Sequence, residues 1–387
     1  MSSLHDVTRG IRPTWAEIDL RAFDANLEAV AARVPAGVKL IALLKADAYG
    51  HGAVALARRC TPDKVAMIGT ALLEEAVALR RAGIALPILV LGTMGEEQIR
   101  TALDFDITPG VPGPEELAVI AKIARDRDVS IHLKLDSGMG RLGSVETELP
   151  RVAELLRSAP RLRVEAIYTH FANASNPSDP FTAQQLARFE TLLATLREAG
   201  ITAPHHHAAN SAATLRGITP GDFVRTGLAL FGGAPLEGDA TRLAPLMRWR
   251  TAIARLKELP PGHAVGYGTT FVTRRASRIA TLPVGYADGY DRRLSNRAEV
   301  LVRGRRAPVV GRVSMDLVTI DVTDIPDAAF GDEVVLLGRQ GSDEIAAEEL
   351  AAKLDTISYE VFCNVSARVP RIHLDGGVAS IRTRFDA

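Results

Sequence analysis

Seven lysines stand among the 46 basic residues, at positions 39, 45, 64, 122, 134, 257 and 353, so chemistry that needs a primary amine has few candidates. Lys45 ends the apolar run VKLIALL and leads into ADAYGHG, with Tyr49 and two glycines close behind. An ammonium at the end of a buried strand loses hydration, which lowers its pKa and suits it to condense with a carbonyl as a Schiff-base lysine. The plainer reading is a head group that snorkels to the rim. A second cluster lies in HLKLDSGMGRLG, with Lys134, Asp136, Met139 and Arg141. Glycines at 138, 140 and 143 let the backbone approach a ligand there, and Arg141 offers a rigid fork of donors; taken alone, the plainer reading is an ordinary glycine-rich loop with a solvated arginine. His170 follows a strand in YTHF, Ser211 starts a helix in ANSAATL, and FVRTGLALFGG brings Arg225, Gly227 and Leu228 into one loop. Backbone N–H groups with a hydroxyl at a helix start make an anion site of phosphate size. Tyr267 lies between glycines in AVGYGTTF, which exposes its hydroxyl, whereas Tyr286 in LPVGYADGY reads as a turn residue. Arg292, Arg312, Met315 and Tyr359 belong to the same half of the chain. The run His205, His206, His207 invites a metal, but adjacent strand residues alternate faces and cannot all meet one ion, so none is expected.

Something must carry these groups to one place. From Phe23 to about Gly233 the chain alternates short β-branched runs with helical periodicity, and strands are expected at 38–44, 65–70, 88–92, 104–110, 130–136, 164–171, 205–210 and 222–232. Eight βα units make a closed (β/α)8 barrel the economical architecture, with an open doubly wound sheet as the alternative. In such a barrel, functional groups sit at the carboxyl ends of the strands, which is where Lys45, Lys134, His170 and Arg225 fall. After Pro245 short alternating runs take over and a mostly β domain is expected. The barrel is assigned to residues 1–245 and the β domain to 246–387, with the strand-like TWAEIDL (14–20) able to pair with either.

Composition narrows the function. The 387 residues carry 46 basic and 46 acidic side chains, so there is no basic surplus to displace counterions from a nucleic acid. No apolar stretch is long enough for a membrane helix. Two cysteines, Cys60 and Cys363, form no disulfide framework, and the first residues lack the apolar core of a signal peptide; a cytoplasmic location is expected.

Nine segments in order, LLKADAYGHG, LDSGMGRLG, HFANAS, ANSAATL, RTGLALFG, AVGYGTTF, LPVGYADGY, GRVSMDL and ISYEVFCNVSARVPR, resemble the alanine racemase family from about Trp15 to Arg371. The resemblance implies a homodimer with shared active sites that uses pyridoxal 5′-phosphate to interconvert L- and D-alanine, supplying D-alanine for peptidoglycan. It implies Lys45 as the Schiff-base lysine and one of two opposed acid/base groups, the other being Tyr267. It implies Tyr49, Ser211, Tyr359 and the backbone of Gly227 and Leu228 as a phosphate cradle, and Arg225 facing the pyridine nitrogen, linked through His170 to Tyr267. Arg141 and the Met315 N–H are implied for the substrate carboxylate, a carbamylated Lys134 for holding Arg141, and Arg292, Arg312 and Ile357 for the substrate entrance. Two departures stand out: Thr226, Leu228 and Phe231 replace the usual proline, isoleucine and tyrosine, and Ser314 stands where some members have cysteine. Among rivals, a related decarboxylase would want an acid in place of Arg225, an exported broad-specificity racemase a signal peptide, a cofactor carrier the barrel alone, and a barrel hydrolase a metal at His205–His207.

Overall fold

The computed structural model describes residues 4–233, 236 and 243–383. A first strand, β1 (Trp15–Asp19), ends where Asp19 turns its carboxylate back to accept from the N–H groups of Arg21 and Ala22, which caps helix Leu20–Ala31. Then eight parallel strands close into a barrel: β2 (Lys39–Leu43), β3 (Val65–Thr70), β4 (Ile88–Val90), β5 (Thr108–Val111), β6 (Val129–Lys134), β7 (Leu162–Tyr168), β8 (His205–His207) and β9 (Phe223–Thr226). Closure comes from β9 pairing with β2, Ile41 opposite Arg225. The barrel and the mostly β second domain expected from periodicity are both present.

Alternation along the strands sorts the barrel's residues. Leu40, Ala42, Ile131, Leu133, Ile167 and Val224 join the large core shared with the surrounding helices. Their neighbours point into the barrel, where Ile41, Leu43, Met67 and Leu89 form a separate apolar cluster on one side. His132, Tyr168, His207 and Arg225 occupy the other side, all nearly or fully buried.

The expected strand over 222–232 is half right. Strand pairing stops at Thr226, and Leu228–Phe231 form a short 3-10 turn, because Gly227 leaves the strand conformation at φ −128°, ψ −86°. The strand expected over 205–210 likewise stops at His207, where Asn210 caps helix Ser211–Leu215 by accepting from the Ala213 N–H at 3.0 Å.

In the second domain β10 (Met247–Ala252) pairs antiparallel with β1, which pairs in turn, parallel, with strand Arg371–Asp375. The N-terminal strand thus lies in the C-terminal sheet. The sheet continues from β10 through Glu333–Gln340, Glu299–Val302 and Arg305–Pro308, and ends on its other side with Val378–Arg382. A three-stranded sheet of Arg255–Leu259, Ser277–Leu282 and Val318–Asp321 lies beside it, and a hairpin of Ala264–Val265 and Phe271–Val272 carries Tyr267 at its tip. No helix among the described residues is long and apolar enough to cross a membrane.

Candidate active site

At the end of β2 the chain does not relax into an ordinary loop. Lys45–Gly50 form one left-handed helical turn, with φ of 52° at Ala46, 52° at Asp47, 55° at Ala48 and 50° at Tyr49. A left-handed conformation disfavours each side-chain-bearing residue by roughly 1–2 kcal/mol. A run of four survives only where neighbours hold it firmly. They do: the Ala46 N–H donates to Glu75 Oε1 at 2.6 Å, and Asp47 accepts from the Ala53 N–H and from Arg382 at 2.8 Å each. His51 Nδ1 faces the carbonyls of Ala48 and Tyr49 at 2.9 Å, so that nitrogen carries the ring proton.

The turn leaves Lys45 half-buried, and loss of hydration, with the charge of Arg141 second, lowers its pKa. The same turn delivers Tyr49 into the space beside β9. Its ring meets Phe231 edge-on at 4.9 Å and Tyr359 at 5.6 Å, and a Cβ on Gly227 would stand 2.6 Å from its hydroxyl. Ser211 Oγ accepts from the Gly227 N–H at 2.9 Å, which leaves its own proton to donate. Tyr49, Ser211, Gly227, Leu228 and Tyr359 therefore come together in one place, drawn from β2, β8, β9 and a C-terminal helix, Ser358–Asn364.

Arg225 is 1% exposed, and burial brings its pKa down to about 10, so it stays charged at neutral pH. It donates to the carbonyls of Thr169 at 2.7 Å and Ala208 at 2.8 Å, to His170 Nδ1 at 3.2 Å and to His207 Nδ1. A guanidinium only donates, so both histidines present a lone pair at Nδ1 and carry their proton on Nε2. His207 Nε2 passes its hydrogen bond to His132 Nδ1 at 3.1 Å, and the ring stacks on Tyr168 at 4.7 Å. His205 and His207 share a face and both meet the Phe223 ring, at 5.0 and 6.0 Å, but only His207 reaches Arg225; His205 lies 3.7 Å from Asp222.

His170 reports how the basic groups are arranged. Burial, then the charges of Arg225, Lys134, Arg141 and Lys45, hold it well below its ordinary pKa, so these four converge on it. Lys134 is itself 5% exposed and brought down to about 8, by burial first and then by Arg141 and Arg225. Asp136 offsets this only in part: its charge raises Lys134 against the arginines, while its carboxylate makes its hydrogen bonds with the N–H groups of Gly138, Met139 and Gly140 at 2.7–2.8 Å. Four basic side chains at one barrel mouth suit a ligand with more than one anionic group, and the amine of Lys45 suits one that also carries a carbonyl.

Tyr267, Met315 and Ile357 are elsewhere. They are 73%, 53% and 61% exposed on the C-terminal domain, and within the described residues no hydrogen bond ties Tyr267 to the barrel mouth. Arg312 stands beside the Tyr267 turn, its Nε 3.1 Å from where a Cβ on Gly268 would be, while Arg292 is exposed. Sequence reasoning passed over Glu75, His132, Arg371 and His373. Glu75 had a visible signal, three residues after Leu72 at a helix start, where its carboxylate accepts from the Ala71 and Leu72 N–H groups. The other three had none.

Residues 18–235 match the family described as alanine racemase, N-terminal domain, and 246–373 match alanine racemase, C-terminal domain. An alanine racemase of Symbiobacterium thermophilum is 46% identical over 369 residues, 94% of this chain and 98% of that one. One from Methanococcus maripaludis is 41% identical, covering 94% and 99%. Among solved structures, the Bacillus anthracis alanine racemase with bound L-Ala-P superposes with a TM-score of 0.91 at 37% identity, covering 96% of this chain and 98% of that one. Biosynthetic alanine racemase from Pseudomonas aeruginosa gives 0.85 at 35%, covering 94% and 100%. With both domains matched in order, the chain belongs to the alanine racemase family, enzymes that racemise alanine.

Proposed function

We propose that the chain racemises alanine with pyridoxal 5′-phosphate by a two-base mechanism, Lys45 and Tyr267 working from opposite faces of the substrate. The observation that carries this reading is the gathering of basic groups at one barrel mouth, with Lys134 and Arg225 5.9 and 5.4 Å from the Tyr168 ring centre, Arg225 on His170 at 3.2 Å and Lys45 6.0 Å from the Tyr49 ring centre, beside a cradle of hydroxyl and N–H donors. The cradle fits the cofactor: Ser211 has a proton to give, and the missing side chain at Gly227 lets the Tyr49 hydroxyl come up against the backbone beside it. Lys45 would hold the aldehyde carbon, Tyr49, Ser211, Tyr359 and the N–H groups of Gly227 and Leu228 the phosphate, and Arg225 the ring nitrogen. When bound, the cofactor supplies electron withdrawal that acidifies the substrate's Cα–H. Arg225 cannot take up a proton, so it keeps the ring nitrogen unprotonated, limits that withdrawal and disfavours transamination.

Lys45 Nζ takes or returns the Cα proton on one face. On the other, the partner subunit's Tyr267 does the same through Oη. His170 supports it: with Nδ1 accepting from Arg225, its Nε2–H is free to donate to a phenolate oxygen and stabilise it. Arg141 and the Met315 N–H hold the substrate carboxylate. Lys134, brought down to about 8, has a neutral fraction near pH 7 that can add to carbon dioxide, forming an N–C bond and losing a proton. The resulting carbamate is an anion able to hold Arg141. Arg292, Arg312 and Ile357 line the way in. The exposed apolar faces of Tyr267, Met315 and Ile357 favour a homodimer, since such surface is normally covered. Supply of D-alanine to peptidoglycan and a cytoplasmic location rest on the family resemblance, with the paucity of cysteine in support.

The test is D-alanine formation from L-alanine with and without added cofactor, together with borohydride reduction and peptide mapping. Cofactor-dependent activity and a label on Lys45 are expected. Activity that persists without the cofactor, or a label on one of the other six lysines, would overturn the assignment.

A further inference from the structure

The strained turn behind Lys45 is closed by the other domain. Arg371 and His373 lie two apart on strand Arg371–Asp375, hence on one face, and both are nearly buried, at 7% and 5% exposed. Arg371 Nε donates to the Gly50 carbonyl at 2.9 Å. Its two other nitrogens donate to carbonyls of Val365, Ser366 and Val369, so one guanidinium ties the turn to the segment leading out of helix Ser358–Asn364. His373 Nε2 meets the His51 carbonyl at 2.9 Å and must be the donor, because a carbonyl only accepts. Contact is close on both sides: a Cβ on Gly52 would lie 2.5 Å from His373 Nε2, and one on Gly50 would lie 2.6 Å from the Phe362 carbonyl. His51 is clamped between Phe231 at 4.9 Å and Phe362 at 5.1 Å.

We infer that Arg371 and His373 are positioning residues for Lys45, the C-terminal domain using them to hold the carbonyls at 50 and 51 and so to fix the left-handed turn from which the lysine projects. Neither touches the reacting atoms. Four consecutive left-handed residues have an easy way out, a return to right-handed backbone, and that return would redirect both Lys45 and Tyr49. The carbonyl donors oppose it. The inference rests on the reading of Lys45 given above for its catalytic consequence, but its structural half does not.

Three variants in the holoenzyme test it: His373→Leu, which removes the donor; His373→Gln, which keeps one at a similar reach; and Arg371→Lys, which keeps the charge but not the fork. Hydrogen exchange read by mass spectrometry on peptides spanning 44–53 is compared with β5 and β6, and alanine kinetics are measured in parallel. His373→Leu should speed exchange at 46–52 about tenfold, leave β5 and β6 unchanged and lower kcat about tenfold with KM held within about twofold. His373→Gln should restore both, and Arg371→Lys should show the same local signature as His373→Leu. Wild-type exchange at 46–52 in His373→Leu overturns the inference. So does equal damage by Leu and Gln with exchange raised throughout the Arg371–Arg382 hairpin, since that is domain stability alone. Should Lys45 prove not to carry the cofactor, the wild-type borohydride label falls on another lysine while the exchange result still stands.

Discussion

Arginine at position 225 does two things that no other residue type would do together. It stays charged in a fully buried setting, and it fixes the tautomers of His170 and His207 by only donating. Replacing it with an acid, Arg225→Glu, would let the ring nitrogen of the proposed cofactor protonate. Racemisation should fall by about a hundredfold or more while pyruvate appears from alanine by transamination. Absence of pyruvate in a folded, cofactor-bound variant would remove the electronic role. The buried histidines make a second prediction. Burial holds His51 at about 4, His132 at about 3 and His207 well below the ordinary 6.5, so the folded protein keeps all three neutral. The unfolded chain takes up protons below about pH 6.5 that the folded one refuses; stability is therefore complete above that pH and is lost as pH falls. At pH 5.5 the loss is about 1.4 kcal/mol for each histidine, a large part of ordinary folding stability. Thermal unfolding of the apoprotein should move down steeply between pH 7.5 and 5.5, and a flat profile would mean that these rings gain protons in the folded state.

Among the elements, the turn from β9 into Leu228–Phe231 matters most to the proposed phosphate cradle. Gly227→Ala tests the space beside Tyr49 at this turn. Its Cβ would press within 2.6 Å of the Tyr49 hydroxyl. Overpacking of this kind costs about 1–3 kcal/mol, and cofactor affinity should weaken about tenfold or more in a titration of the apoprotein. Unchanged affinity would mean that the phosphate is held elsewhere. The left-handed turn at 45–50 obeys the same logic from the other side: Glu75 takes the Ala46 N–H, His51 the Ala48 and Tyr49 carbonyls and Arg371 the Gly50 carbonyl, which is why so unfavourable a backbone persists.

At the scale of the molecule, the chain puts its two proposed bases on different domains. Lys45 lies at the barrel mouth, and Tyr267 is at an exposed hairpin tip. If they meet only across a two-fold interface, Lys45→Ala and Tyr267→Phe proteins, each nearly inactive, should regain activity on mixing. Each mixed dimer then has one site with both lesions and one with neither, so random exchange leaves about a quarter of all sites intact. Exchange can be shown with differently tagged subunits. Activity that stays at the single-mutant level once exchange is shown would place Tyr267 within its own chain or outside the chemistry.

The barrel was legible because each of its strands is a short β-branched run followed by helical periodicity, a local pattern that survives without knowledge of the partners. Lys45, Lys134, His170 and Arg225 could be singled out for the same reason: each is a polar residue at the carboxyl end of a strand. Residue spacing could not assign β1 to the C-terminal sheet, because TWAEIDL alternates in a way that suits any edge, and the choice was made by β10 and Arg371–Asp375 on either side. Nor could it separate His207 from His205, since strand alternation says that they share a face and not which way the ring turns or what it meets. The left-handed turn was the least visible of all. Nothing in KADAY favours left-handed backbone; Glu75, Arg371, His373 and Arg382 impose it from positions 29 to 335 residues away along the chain, and only folding brings those donors and acceptors to one place.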